Sequence, residues 1–414
     1  MPVLVSGLAV VFAFVYFAVK ATSQGGDIVL EPSANTSGQI QIIDRLDFNV
    51  FGQEGLFRQS SVHQFFNPTN ATPPFFQVFD PSFFSVLGPN PSIRVVASNP
   101  SFEFAHEAPI WLSDTDEVTF ASVDGGFPGV SDINHNNRVS KISLKDVEDA
   151  IKMAGSSPTP INVTVTKLDF PETVQMTNGG TGPLNGSLLL VNSGRGPLPP
   201  SVVLADPNPP FATRVILDNF FGRQFNSLND VKIHPTSKKI FFTDAPYGFA
   251  LQFRPSLLLP NQVYRFDQDS GSVRVVADGF NKSNGIAFSQ DGKTAYVTDT
   301  AVNNGDFGLD QTAPATIYAF DVDPKSQRFL NRRVFAYADT GIPDGVQLDT
   351  NDNVYSGCGD GVQVWNSEGT LLGKFFLGSV SANMIFAGQG RLVILAEDAI
   401  YFAEIAASGF NLAH

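Results

Sequence analysis

Pairs of short apolar runs, separated by a few turn-forming residues, recur along most of the chain. Ile240-Phe-Phe-Thr-Asp follows Asn229-Asp-Val-Lys-Ile, and Ala295-Tyr-Val-Thr-Asp follows Asn284-Gly-Ile-Ala-Phe. Similar runs open at Glu107-Ala-Pro-Ile-Trp, Asn178-Gly-Gly-Thr, Asp344-Gly-Val-Gln-Leu and Asn383-Met-Ile-Phe-Ala. Each begins on a polar residue, and these six heads lie 71, 51, 55, 60 and 39 residues apart. Runs this short, rich in β-branched and aromatic residues and bounded by Gly, Asn and Asp, predict strands. A two-strand unit repeated at such spacing predicts an all-β fold, a six-bladed β-propeller. The innermost strands of a propeller start around one axis. Six amide and carboxylate side chains would therefore converge at one mouth and form an all-oxygen cage.

The rest of the pattern divides the chain into three. Residues 1–23 form an apolar leader. Residues 24–100 are rich in Pro, Asn, Ser and Phe, with strand-like alternation in Ile40-Gln-Ile-Ile-Asp and Ser92-Ile-Arg-Val-Val-Ala; this arm is expected to supply a ring-closing strand. Residues 101–414 hold the repeats. One amphipathic stretch, Ser143 to Ala154, predicts a short surface helix between strands. The segment between Asp244 and Arg265 is too rich in Pro for a core strand and is expected to wall or lid the mouth.

Composition narrows the function classes. The net charge is −14 and no basic cluster exists to neutralise phosphates, which argues against a nucleic-acid partner. Cys358 is the only cysteine, so no intrachain disulfide forms; beside an apolar strand it reads as packed. Residues 2–19 carry no charge and read as a secretory signal peptide, with an uncleaved membrane anchor as the alternative. Five N-x-S/T sequons follow, at Asn35, Asn70, Asn162, Asn185 and Asn281, and support an extracellular destination. Nothing in the sequence speaks to oligomeric state.

The heads offer only oxygen. The five histidines are dispersed and there is no Cys-x-x-Cys, so zinc does not fit. Carboxylate and amide oxygens suit a hard cation, and Ca²⁺ accepts irregular sets of them more readily than Mg²⁺. Any one Asn-Gly or Asp-Gly, taken alone, is a turn dipeptide. No nucleophile elbow occurs; Asp291-Gly-Lys-Thr lacks the first glycine of a P-loop, and Asp349-Thr-Asn-Asp-Asn lacks the glycine and glutamate of an EF-hand loop.

Ser283-Asn-Gly-Ile-Ala-Phe-Ser-Gln-Asp-Gly-Lys-Thr-Ala-Tyr-Val-Thr-Asp-Thr resembles the signature of the gluconolactonase / senescence-marker-protein (regucalcin) family. Ile342-Pro-Asp-Gly-Val and Phe225-Asn-Ser-Leu-Asn-Asp-Val are similar to two further blocks of it. With His106-Glu107-Ala and Gly222-Arg-Gln-Phe-Asn, the chain looks closest to the fungal lactonohydrolases, over about residues 100–410. The resemblance implies a six-bladed propeller with one catalytic divalent cation, usually Ca²⁺, held by Glu107, Asn229, Asn284 and Asp344. It implies no role for Asn178 or Asn383.

The expectation is a secreted, Ca²⁺-dependent lactone hydrolase acting on small aldonate- or pantoyl-type lactones. Asp344 is the candidate base for an attacking water, with direct attack by Asp344 as the alternative. Asn178, Asn383 and His106 are candidates to bind substrate hydroxyls, and Arg223 to hold the product carboxylate. Two other readings stand beside it: an aryl-ester or phosphotriester hydrolase on the same cage, and a non-catalytic propeller that keeps Ca²⁺ for stability.

Overall fold

The computed structural model describes residues 38–412, apart from 63, 127, 156–158 and 305–307. The leader and the sequon at Asn35 lie outside the described residues. The repeats form six antiparallel sheets. The innermost strands, in chain order, are Glu107–Leu112, Thr177–Leu184, Leu228–Ile233, Ser283–Phe288, Val346–Leu348 and Asn383–Phe386, which define blades one to six. Each runs outward through three further strands, and the fold is the six-bladed propeller.

The ring is closed by strands from before the repeats. Ser92–Ser98 forms the outer strand of blade six, antiparallel to Ala399–Ser408. Phe75–Val78 adds a strand to the outer edge of blade five, and Ile40–Ile42 pairs parallel to it. Among the described residues the buried apolar side chains fall into six clusters, one at each junction between neighbouring blades. Phe241, Phe288, Phe320 and Phe329, for example, fill the junction of blades three and four with edge-on and stacked rings. The many phenylalanines are thus the filling of a wheel of sheet-on-sheet contacts, each burying large apolar area.

Antiparallel order puts all the heads at one end of the channel, together with the loops that follow each second strand. In blades one to four these loops are long (122–138, 193–200, 245–261 and 300–315), and in blades five and six they shrink to 359–360 and 397–398. The predicted helix forms at Leu144–Ala154, with Ser143 Oγ accepting from the Asp146 amide. The arm reaches this end as well. Gly341 N donates to Ser61 O at 2.7 Å, and Arg58 bonds Thr340 Oγ1 and Asp339. Asp339 in turn meets Lys374, whose ammonium is fully buried between Asp339 (2.6 Å) and Asp360 (2.7 Å).

Candidate metal centre and active site

The inner strands of blades one to four carry one extra residue at their heads. In blade three Leu228 pairs with Asp244 and Val231 with Phe242, leaving Asn229 and Asp230 opposite a single residue. Blade four repeats this with Asn284 and Gly285, blade one with Ala108 and Pro109, and blade two bulges at Asn178. Such bulges re-aim side chains. The heads are not strictly equivalent. Asn178, Asn229 and Asn284 share one register position, whereas Glu107 sits one residue earlier, level with Leu228 and Ser283. Its longer side chain compensates, and Ala108 takes the asparagine position with φ of 53°.

The Asn-Gly and Asp-Gly dipeptides at the heads of blades four and five are not left-handed turns. Asn284-Gly285 lies inside a strand, and neither Gly285 nor Gly345 has positive φ. A Cβ on Gly285 would run into the Asp344 carbonyl, and one on Gly345 into the Asn383 amide. Glycine is needed because neighbouring inner strands close in around the axis.

All six heads are buried, the most open being Asp344 at 8%. A ring nitrogen of His106 and carboxylate oxygens of Glu107 and Asp344 lie within 4.8 Å of one another. Asn284 reaches toward both the Asp344 carboxylate and the Tyr247 hydroxyl. Four head oxygens, Asn178 Oδ1, Asn229 Oδ1, Asn284 Oδ1 and Asp344 Oδ1, are buried with no hydrogen-bond partner. Buried acceptors are almost always paired, because leaving one bare costs roughly 1–3 kcal/mol. Bare amide oxygens at the heads, together with the carboxylates of Glu107 and Asp344, fit a hard divalent cation in chemistry and charge.

Asn383 differs. Its Nδ2 donates to Glu107 Oε2 at 2.7 Å and its Oδ1 accepts from Met384 N, so its amide is occupied at both ends and holds Glu107 in place. Arg223 is exposed in a turn beside Tyr264, and among the described residues no hydrogen bond or ion pair joins it to the mouth cluster.

Electrostatics mark the same spot. Burial, reinforced by the charge of Asp344, pushes the Glu107 carboxyl well above the ordinary range, and burial with Glu397 nearby pushes Asp344 upward. Burial pulls His106 down, but Glu397, Glu107 and Asp344 outweigh it and hold the imidazole well above its usual value. Glu397 grips His106 Nδ1 through both oxygens, at 2.9 and 3.0 Å. Burial also raises Asp124 to about 6.

Sequence reasoning missed Glu397, Asp124 and Tyr247. Each sits in a loop after a second strand, and only the ring brings it to the heads. Tyr247 belongs to the expected wall. Its hydroxyl pairs with Thr300 Oγ1 at 2.6 Å, while Arg254 Nη1 donates to the carbonyls of Gly196 and Leu198. The segment is therefore strapped to blade two on one side and blade four on the other.

The chain is 29% identical over 319 residues to lactonohydrolase oryL of Aspergillus oryzae, covering 74% of this chain and 68% of that protein. It is 27% identical over 192 residues to the gluconolactonase of Zymomonas mobilis, covering 44% of this chain and 51% of that one. Among solved structures, a gluconolactonase from Xanthomonas campestris superposes with a TM-score of 0.61 at 22% identity, covering 80% of this chain and 94% of that chain, a likeness of fold. The model of the SMP-30/gluconolactonase/LRE-like region matches residues 107–396, well over half of the chain, and this chain belongs to that family.

Proposed function

We propose that the protein is a secreted, Ca²⁺-dependent lactonase that opens aldonate- or pantoyl-type lactones to hydroxy acids. The observation that carries this reading is the set of bare, buried oxygens beside Glu107 and Asp344, in a chain whose relatives are lactonases. Glu107, Asn229, Asn284 and Asp344 would hold the cation. Bound there, it supplies Lewis acidity toward the lactone carbonyl.

The residues of the chain do the rest. Asp344 takes a proton from water as the water oxygen bonds to the carbonyl carbon. The ring C–O bond then breaks, and the departing alkoxide takes that proton back. Asn383 keeps Glu107 oriented, and Glu397 keeps His106 oriented at the edge of the site. The 245–261 segment and the arm around Arg58 border the mouth and limit which lactones enter. Secretion is supported by the apolar leader and by the exposure of the sequon asparagines Asn70, Asn162, Asn185 and Asn281.

The test is a pH-stat screen of aldonate and pantoyl lactones, with aryl esters and a phosphotriester as controls, with and without chelator. Lactone opening that is lost on chelation and restored by Ca²⁺ is expected. Turnover of the controls alone, or full lactonase activity in metal-free protein, overturns the proposal.

A further inference from the structure

Asn178 has the same geometry as two of the family-assigned donors. It occupies the register position that Asn229 and Asn284 occupy in the next two blades, at a bulge in the inner strand. Like them it is buried, and like them its Oδ1 has no partner. Its neighbour Gly179 packs so tightly on blade three that a Cβ would strike the Asn229 carbonyl and Asp230 Cα. The Asn178 and Asn229 heads are therefore side by side.

What distinguishes Asn178 is that its orientation is fixed by a charge. Nδ2 donates to Asp124 Oδ1 at 2.8 Å, and the other Asp124 oxygen accepts from Ser193 Oγ at 2.7 Å. Asp124 and Ser193 are themselves buried, and Asp124 lies close enough to feel the charge of His106. An amide is planar, with oxygen and nitrogen on opposite branches. With its NH₂ pinned on Asp124, Asn178 must turn its oxygen away from that carboxylate. The flipped amide would press oxygen against carboxylate and lose the charge-assisted bond. This inner-strand asparagine is thus locked as an acceptor, whereas Asn383 has both ends of its amide spent.

We propose that Asn178 Oδ1 is a fifth protein oxygen on the channel cation, and that Asp124, braced by Ser193, is its positioning residue. The inference rests on the reading that Glu107, Asn229, Asn284 and Asp344 hold a divalent cation. It adds a donor from blade two, so that five consecutive blades surround the ion. Ca²⁺ takes six to eight oxygens, which leaves positions for water and substrate.

The experiment uses full-length protein stripped of metal, with Ca²⁺ titrated by calorimetry and Tb³⁺ as a luminescent probe whose lifetimes in H₂O and D₂O count bound waters. Asn178→Ala is expected to weaken Ca²⁺ by at least ~10-fold, the lower end of the cost of losing even a partner that orients a ligand, and to add one water to bound Tb³⁺. Asp124→Ala frees the amide and is expected to do the same. Asp124→Asn keeps an acceptor for Nδ2 and should keep the wild-type water count, whereas a purely structural role for Asp124 would add no water in the Ala variant either. If Asn178→Ala misfolds, Asn178→Ser serves for the same measurements. Unchanged Ca²⁺ affinity and water count in the Asn178 variant, with or without a raised KM for a polyhydroxy lactone, overturns the fifth donor and leaves the four-residue cage intact. Absence of Ca²⁺ binding in the wild type, by contrast, overturns the cage itself.

Discussion

Folding this chain should take up protons at the mouth, and the metal-free protein should therefore lose stability as pH rises. Asp124 is the clearest case. It exposes 4% of its surface, and its carboxyl is raised from 3.8 to about 6, mainly by burial. A group whose folded value is raised contributes stability that is complete below the unfolded value and is lost as pH passes through the folded one. A shift of about two units at ~1.4 kcal/mol each amounts to ~3 kcal/mol. Glu107, Asp344, His106 and Glu103 are all displaced upward and add in the same direction. The carboxylates displaced downward, such as Asp267 and Asp291 at about 2, act only in more acid solution. With an unfolding entropy of ~2 cal/mol/K per residue over ~375 residues, ~3 kcal/mol corresponds to a Tm change of ~4 °C. Thermal melts followed by circular dichroism, in chelator from pH 4.5 to 8, should thus show Tm falling by at least that much. Asp124→Asn should flatten part of the slope. Saturating Ca²⁺ should flatten most of it, because a cation holds the carboxylates ionised and releases their protons. A Tm that is level or rising across this range in chelator would refute the account.

Other outcomes follow from named contacts. Asp344→Asn, assayed on a lactone at saturating Ca²⁺, should lower kcat by at least ~100-fold while weakening the cation less; near wild-type kcat would make Asp344 a ligand only. Asn229→Asp should tighten Ca²⁺ in calorimetry and reduce kcat, since added charge blunts the ion's acidity. Lys374→Met leaves Asp360 buried without its cation and should cost about 3–5 kcal/mol in denaturant melts, whereas Arg58→Ala, at a half-exposed pair, should cost under ~1 kcal/mol. Arg254→Ala removes two of the bonds that tie the wall to blade two and should change relative kcat/KM between small and bulky lactones without altering Ca²⁺ affinity. Mass spectrometry of protein from the native host should find a mature start soon after residue 20 and glycan on Asn70; an intact Met1 and no glycan would count against secretion.

The blades were readable because their cause is local: period-two alternation, turn residues and regular spacing of the heads. Site details depended on relations the chain order hides. Glu397 is 291 positions from His106, and Asp124 is 54 from Asn178, each in a loop that reads as ordinary turn sequence. Taken alone, Asn284-Gly285 and Asp344-Gly345 suggest turns, and only the repeat places them at strand heads. What demands glycine there is a neighbouring strand's backbone, which no local pattern reveals. The one-residue offset of Glu107 was hidden for a similar reason: head-to-head spacing carries no pairing register.

The closing strand sets a schedule for biosynthesis. Ser92–Ser98 is made early, yet its partner Ala399–Ser408 emerges roughly 300 residues later, about 15–60 s at ordinary translation rates. Until then the wheel has an open rim, and two blades expose the apolar faces they will press together. A chain truncated within the last blade would keep that rim open, with apolar surface and a strand edge that make incomplete species prone to aggregate.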